Sequence, residues 1–497
     1  MAVLENLEPR EVFSFFEEIS SIPRGSGNVS RISNYLVKFA EQRGLEYYQD
    51  ELKNVIIIKE ATQGYEYAQP VILQGHMDMV AVKKPDCNMD LKMEGLRLGV
   101  DGDLIYAENT SLGGDDGIAI AYALALLDSD SIPHPRLEVV ITVDEEVGME
   151  GAREIDLSML HGTRMVNLDS EEEGIFTVGC AGGVRVDFQF SGKTEEVKGS
   201  LLKLKIGGLQ GGHSGAEIHK ERGNSNQIFG RILEEITKGY PARLMEVKGG
   251  LADNAIPRET TAKILVAEEY GSDGRQISYR KDAIAELLKS LYQTIKDELA
   301  VRDPDFFMEW SYEDQVTDTA LNPADTRRAA LFLCALPNGV QAMSPDIPGL
   351  VETSLNFGIL RSKRVLGEGY LGITISVRSS VESEKAALVR RLHAIGKLAG
   401  VPCKIRGEYP GWKYRAKSPL RDRMIRLYEE MYGTQPEVVA IHAGLECGLF
   451  MSKIPELDCV SIGPNMQNIH TTEETLSISS TERVWVYLLD LLASMKD

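Results

Sequence analysis

Positive charge is what this chain lacks most. Its 497 residues carry a formal net charge of −21. Nucleic-acid binding needs a basic footprint, so that class of partner is excluded, and anionic membrane surfaces are disfavoured for the same reason. No apolar run approaches the roughly 18–20 residues that cross a bilayer. The start, "MAVLENLEPREVFSFFEE", has no basic segment leading into an apolar one, so no secretory signal is expected. Six cysteines (Cys87, Cys180, Cys334, Cys403, Cys447, Cys459) form no CxxC pair and no dense framework. A reduced, cytoplasmic setting follows as the expectation. No low-complexity tract is present. What remains, 43% hydrophobic and 26% charged residues, is the composition of a globular protein too long for a single core.

The order of patterns points to an α/β fold. Residues 9–48 read as helix, interrupted at "SIPRGSGN". Strands are predicted at "NVIIIKE" and "PVILQG". A glycine-rich turn then feeds an Ala/Leu helix, "NTSLGGDDGIAIAYALALLD". "RLEVVITV" and "TRMVNLD" supply two further strands. This alternation predicts a mixed, largely parallel sheet over 1–185, resumed over 408–497. Between them, 186–407 alternates like half-exposed strands and helices: "VRVDFQF", "LLKLKIGG", helix "RGNSNQIFGRILEEI", and later "YLGITISVRS" and "SEKAALVRRLHAIGKLAG". That is an inserted α+β domain, roughly two ββαβ units, which reads as a doubled ferredoxin-like fold.

Acidic and histidine residues fall just after the predicted strands. In open α/β sheets that edge binds ligands. His76 and Asp78 follow "PVILQ", at i and i+2, so they share one side of an extended chain. That makes a metal ligand with its anchor, or a pH-sensitive surface pair, and the spacing alone does not decide. Asp115 and Asp116 follow a glycine turn, Glu145 and Glu146 follow "VVITV", Asp169 follows "MVNL", and His470 follows "CVSIGPNMQNI". Any one acidic cluster is ordinarily a solvated loop; their joint position is harder to explain that way. Crowded carboxylates need cations. Histidine and carboxylate donors without cysteine suit zinc, manganese or cobalt, and the set is large enough for two ions sharing a carboxylate. "GCAGG" has the wrong spacing for a dinucleotide fingerprint, and "GHSGA" carries Ala216 where a serine-hydrolase elbow needs glycine.

"GHMDMV", "SLGGDDGIA", "TVDEEVGMEGA", "NLDSEEEG", "GGHSGAEIHKERGNSN" and "NIHTTEE" together resemble the di-zinc aminoacylase/carboxypeptidase-type metallopeptidases. Within these they are similar to the aminoacyl-histidine dipeptidases. The similarity runs in order from about residue 10 to the C-terminus. The resemblance implies that His76 and Asp169 hold one metal, Glu146 and His470 the other, and Asp115 bridges. Asp78 would orient His76, and Glu145 would be general base and acid for the attacking water. The Asp115–Asp116 peptide would be cis, with Asp116 turned toward the helix. The inserted domain would be a lid in which His213 stabilises the oxyanion and Asn254 contacts substrate. Arg378 is a candidate partner for the dipeptide carboxylate or else an ordinary surface ion pair. Gly444 lends backbone to the same carboxylate or simply makes a turn. The implied enzyme hydrolyses Xaa-His dipeptides such as β-alanyl-histidine with two divalent ions, zinc foremost. It would be a homodimer through the lid, or its doubled lid would supply His213 within one chain. A tripeptidase, aminoacylase or deacetylase on the same metal core is the sister reading, and a catalytically silent binding protein the remote one.

Overall fold

The computed structural model describes residues 3–268, 280–365 and 367–497. The chain divides into two units. One comprises Met1–Cys180, Trp412–Ala440 and Leu445–Asp497, the other Ala181–Gly411 and Ile441–Gly444. The divisions fall a few residues from those read in the sequence, and the short stretch Ile441–Gly444 groups with the second unit.

The first unit is built on an eight-stranded sheet. Its order is Glu46–Gln49, Val55–Lys59, Leu137–Thr142, Val71–His76, Arg164–Asn167, Asp458–Ser461, Ile175–Cys180 and Glu437–Ile441. The four middle strands run parallel. Val71–His76 and Leu137–Thr142 are buried along their whole length, which is why they read as continuous apolar runs rather than alternating ones. In register, His76 lies beside Thr142, and Gln74 beside Asn167. The chain therefore leaves several parallel strands at one edge, next to one another.

Helix Gly114–Asp128 is buried from Gly114 to Leu127. From Gly117 to Leu127 it is apolar all round, as a helix enclosed by protein must be. Its start presses on the sheet: a Cβ at Gly75 would stand 2.4 Å from Asp116 Oδ2 and 2.6 Å from the Ala119 Cβ. Glycine at 75 is what lets helix and strand approach so closely. Tyr122 stacks on Trp485 at 5.8 Å, coupling this helix to helix Ile478–Ser494. A small sheet of Met466–Gln467, Thr475–Ser477, Leu104–Ala107 and Leu98–Asp101 completes the unit. Its strands are too short to show in the sequence pattern. The loop between its first two strands carries His470. Among the described residues no helix is long and apolar enough to cross a membrane.

The second unit is one antiparallel sheet with helices Ser225–Gly239, Arg280–Leu299, Pro323–Ala335 and Glu382–Ala399. The sheet runs Ala242–Gly249, Thr260–Ala267, Gly182–Gly207, Glu368–Ser379, Val351–Val365 and Gly339–Met343. Strand Gly182–Gly207 is 26 residues long. Its first half pairs with Glu368–Ser379 and Cys403–Tyr409, its second half with Thr260–Ala267 and Phe307–Leu321. The two α+β halves thus share a strand and one apolar core, in which Phe188, Phe229, Phe332, Phe357 and Leu392 are buried.

Candidate metal centre

Seven residues singled out in the sequence meet in the first unit. His76, at the end of its strand, points Nδ1 at the Asp78 backbone oxygen (3.0 Å) and at Asp78 Oδ1 (3.4 Å). The Asp78 carboxylate is itself held: Ser26 Oγ donates to Oδ2 at 2.8 Å and the Glu145 N–H to Oδ1 at 3.1 Å. With Nδ1 so engaged, Nε2 is the atom His76 presents to the carboxylates. It lies 3.1 Å from Asp115 Oδ1 and 3.6 Å from Asp169 Oδ1. His470 mirrors it, with Nε2 3.1 Å from Asp115 Oδ2 and 2.8 Å from Glu146 Oε1. Each oxygen of Asp115 faces a different imidazole.

Three sets of donor atoms lie within 4.8 Å of one another: His76/Asp116/Asp169, His76/Glu145/Glu146 and Asp115/Glu146/His470. The peptide between Asp115 and Asp116 is cis. Asp116 stays closer to the centre than a residue turned into the helix: its Oδ2 accepts the His76 N–H at 3.1 Å.

The titration of the cluster follows from crowding. Burial pushes Glu145 and Asp116 well above the carboxylate range. Burial also raises Asp169, to about 6, against the pull of His76. At Asp115 hydrogen bonds from His470 and His76 outweigh burial and hold the carboxyl down. Hydrogen bonds to Asp115 and Glu146 lift His470 to about 10. Burial opposes protonation of His76, yet Asp169, Asp115 and Asp78 raise it well above its usual value. All of these shifts express one imbalance: more acidic oxygens than positive charge in a small buried volume. Divalent cations correct that imbalance, and the nitrogen and oxygen donors fit zinc, manganese or cobalt.

Three residues at this centre were not singled out from sequence. Arg24, from the break between the first two helices, is buried and donates Nη1 to Met77 O (3.1 Å) and Nη2 to Gly113 O. Glu474, four residues past His470, is buried and accepts backbone N–H groups of residues 112–115. Glu446 accepts from Gln74 Nε2 and Thr142 Oγ1, both at 2.6 Å, and burial pushes it up to about 8. The only sequence signal for the latter two is their place in "NIHTTEE" and "HAGLECG".

The remaining candidates lie in the second unit. His213 Nδ1 accepts the N–H groups of Gly215 (3.3 Å) and Ala216 (3.0 Å), which leaves its proton on Nε2. Burial and Arg378 lower its pKa. Arg378 is buried and donates Nη1 to Tyr409 OH at 3.0 Å, while its Nε has no partner. His442 Nε2 is 2.7 Å from Ser354 Oγ, and burial, then Arg378, lower it to about 3. A Cβ on Gly444 would stand 2.9 Å from the Tyr409 ring, so only glycine fits there. Asn254 has an exposed side chain, and its carbonyl accepts the Ser214 N–H at 2.8 Å.

The profile of peptidase family M20/M25/M40 matches residues 72–494. The chain is 36% identical over 495 residues, 99% of both proteins, to the cytosol non-specific dipeptidase of Escherichia coli K12. The crystal structure of aminoacylhistidine dipeptidase from Vibrio alginolyticus matches with a TM-score of 0.89 at 34% identity, covering 99% of this chain and 98% of that one. Aminopeptidase PepT from Bacillus cereus shares the fold, with a TM-score of 0.59 at 15% identity over 99% and 100% of the two chains. The chain belongs to the peptidase family M20/M25/M40.

Proposed function

We propose that this protein is a dinuclear-metal dipeptidase that hydrolyses the single peptide bond of short, unblocked dipeptides. The observation that carries the reading is Asp115, whose two oxygens each lie 3.1 Å from the Nε2 of a different histidine, His76 and His470. A carboxylate so placed would be able to serve two ions. His76 and Asp169 would hold one ion, Glu146 and His470 the other. Zinc suits the donors best, with manganese or cobalt as alternatives. When bound, such ions supply Lewis acidity and a water of lowered pKa.

The chain's own groups would do the rest. Asp78 keeps a proton on His76 Nδ1 and leaves Nε2 free to ligate. Glu145, a carboxyl of raised pKa, accepts a proton from the attacking water and returns it to the leaving amine. His213 carries its proton on Nε2 and offers that N–H as a hydrogen-bond donor to the oxyanion. Arg378, a buried guanidinium that pairs with no carboxylate among the described residues, receives the C-terminal carboxylate of the substrate, helped by the backbone at Gly444. Asn254 adds a substrate contact. The first unit is then the catalytic domain and the second the lid, through which a homodimer would form.

The relatives bear different names, one non-specific and one aminoacylhistidine. Xaa-His dipeptides, β-alanyl-histidine among them, are therefore proposed as substrates within a wider range, in the cytoplasm. The test is a panel of dipeptides with and without C-terminal histidine, amidated dipeptides, tripeptides and N-acetyl amino acids. Free dipeptides should lead in kcat/KM, and amidation should cost at least tenfold. Preferred cleavage of tripeptides or N-acyl amino acids would assign a sister activity instead.

A further inference from the structure

The turn that presents Asp115 is gripped from two sides by buried charges. On its N–H side stands Glu474. Its Oε2 accepts from Leu112 (2.8 Å) and Gly113 (3.0 Å), and its Oε1 from Gly114 (2.8 Å) and Asp115 (3.4 Å). On the carbonyl side stands Arg24, which donates to Gly113 O and also to Met77 O at 3.1 Å and Asp78 O at 3.4 Å. Arg24 is 2% and Glu474 3% exposed. Their hydrogen bonds go to backbone, not to each other.

Burying a full charge on backbone groups is a costly way to gain stability, because apolar side chains of similar size do as well or better. What a charged, multidentate group supplies instead is geometry. The two grips also join different pairs of segments. Arg24 ties the Asp115 turn to the turn after His76. Glu474 ties the same turn to the hairpin loop that carries His470, four residues away. His470 itself has a left-handed backbone, φ 64°, a conformation that a non-glycine residue keeps only when its surroundings hold it.

We propose that Arg24 and Glu474 are positioning residues with separate duties: Arg24 sets the His76–Asp115 metal position, and Glu474 sets the Asp115–His470 position. The proposal rests on the dinuclear reading above. Both grips meet at the Asp115 turn; they differ in what they reach beyond it, the turn after His76 for Arg24 and the loop of His470 for Glu474, and it is there that their effects separate.

The experiment measures zinc affinity of the metal-free protein by competition with a chromogenic chelator, with circular dichroism and Tm alongside. The wild type should bind two ions; fewer would sink the dinuclear reading and leave this one without a subject. Two reference proteins isolate one position each: His470→Ala keeps the His76 position, His76→Ala the His470 position. Glu474→Gln should weaken zinc about 10–100-fold in the His76→Ala protein, the range for loss of a group that orients a ligand. In the His470→Ala protein it should change affinity less than twofold. Arg24→Met should do the reverse. Glu474→Asp and Arg24→Lys, which retain charge, stand in for any variant that fails to fold, with the same pattern on a smaller scale. Equal losses in both reference proteins, or none in either, overturn the proposal even where two ions bind normally.

Discussion

Glu145 and Glu146 are neighbours in sequence and cannot face the same way in extended chain. Glu146 reaches His470 Nε2 at 2.8 Å, whereas the Glu145 backbone is tied to Asp78. Glu145→Gln keeps the shape and cannot accept a proton. It should bind two ions normally and lose about 10²–10⁴-fold or more in kcat. Glu146→Gln should bind one ion at least about tenfold more weakly and regain part of its activity in excess zinc. Metal content after dialysis and rate against added zinc separate the two; the opposite pattern would exchange the roles. His442, in the second unit, gives a separate pH test. Burial and Arg378 hold its folded pKa near 3, below the unfolded value of 6.5. The unfolded chain therefore takes up the proton first. Stability from neutral His442 is complete above pH 6.5 and is lost as pH falls from there toward 3, with a slope of up to about 1.4 kcal/mol per pH unit. His442→Asn can still bond Ser354 and does not titrate. Its stability, followed by urea unfolding between pH 7 and 4, should fall less steeply than that of the wild type. Parallel curves would mean that His442 is not held neutral.

At the scale of elements, strand Gly182–Gly207 is the one that knits the second unit together. A Cβ at Gly199 would stand 2.0 Å from the Val266 carbonyl oxygen of the adjoining strand. Gly199→Ala should cost about 1–3 kcal/mol, the range for overpacking a filled site, while both ions bind as before. A variant of unchanged stability would show that the ladder yields there. "VRVDFQF" and "LLKLKIGG" announce themselves by alternation, but "SGKTEEVKGS" between them looks like a charged loop. It is strand because Phe307–Leu321 pairs along it, and pairing with a distant segment leaves no local trace. The central parallel strands were legible because burial on both faces writes a continuous apolar run. The metal candidates were legible because each follows such a run. Arg24, Glu474 and Glu446 were not, since their partners are backbone atoms or side chains far away in sequence, and such bonds impose no spacing.

For the whole molecule, the decisive quantity is charge. A chain of net charge −21 gathers several buried acids at one point, so removal of bound cations should act on stability as well as on rate. Burial raises Asp169 to about 6 and Glu446 to about 8, and Glu145 and Asp116 also lie well above ordinary carboxylates. Without metal, these four groups therefore bind more protons in the folded state than in the unfolded chain over this range. Their contribution to the stability of the metal-free protein falls as pH rises from about 4.5 through 8. Metal binding favours the ionised ligands and strengthens over the same interval. An ion at one hundred times its Kd adds about 2.7 kcal/mol. The gap in Tm between zinc-loaded and chelator-treated protein should thus be small at pH 5 and widen steadily to pH 8. It should close again when zinc is restored. A gap independent of pH would mean that protons do not stand in for the ions in the metal-free fold. No gap at any pH would mean that these carboxylates hold no cation, and the dipeptidase reading would fall with it.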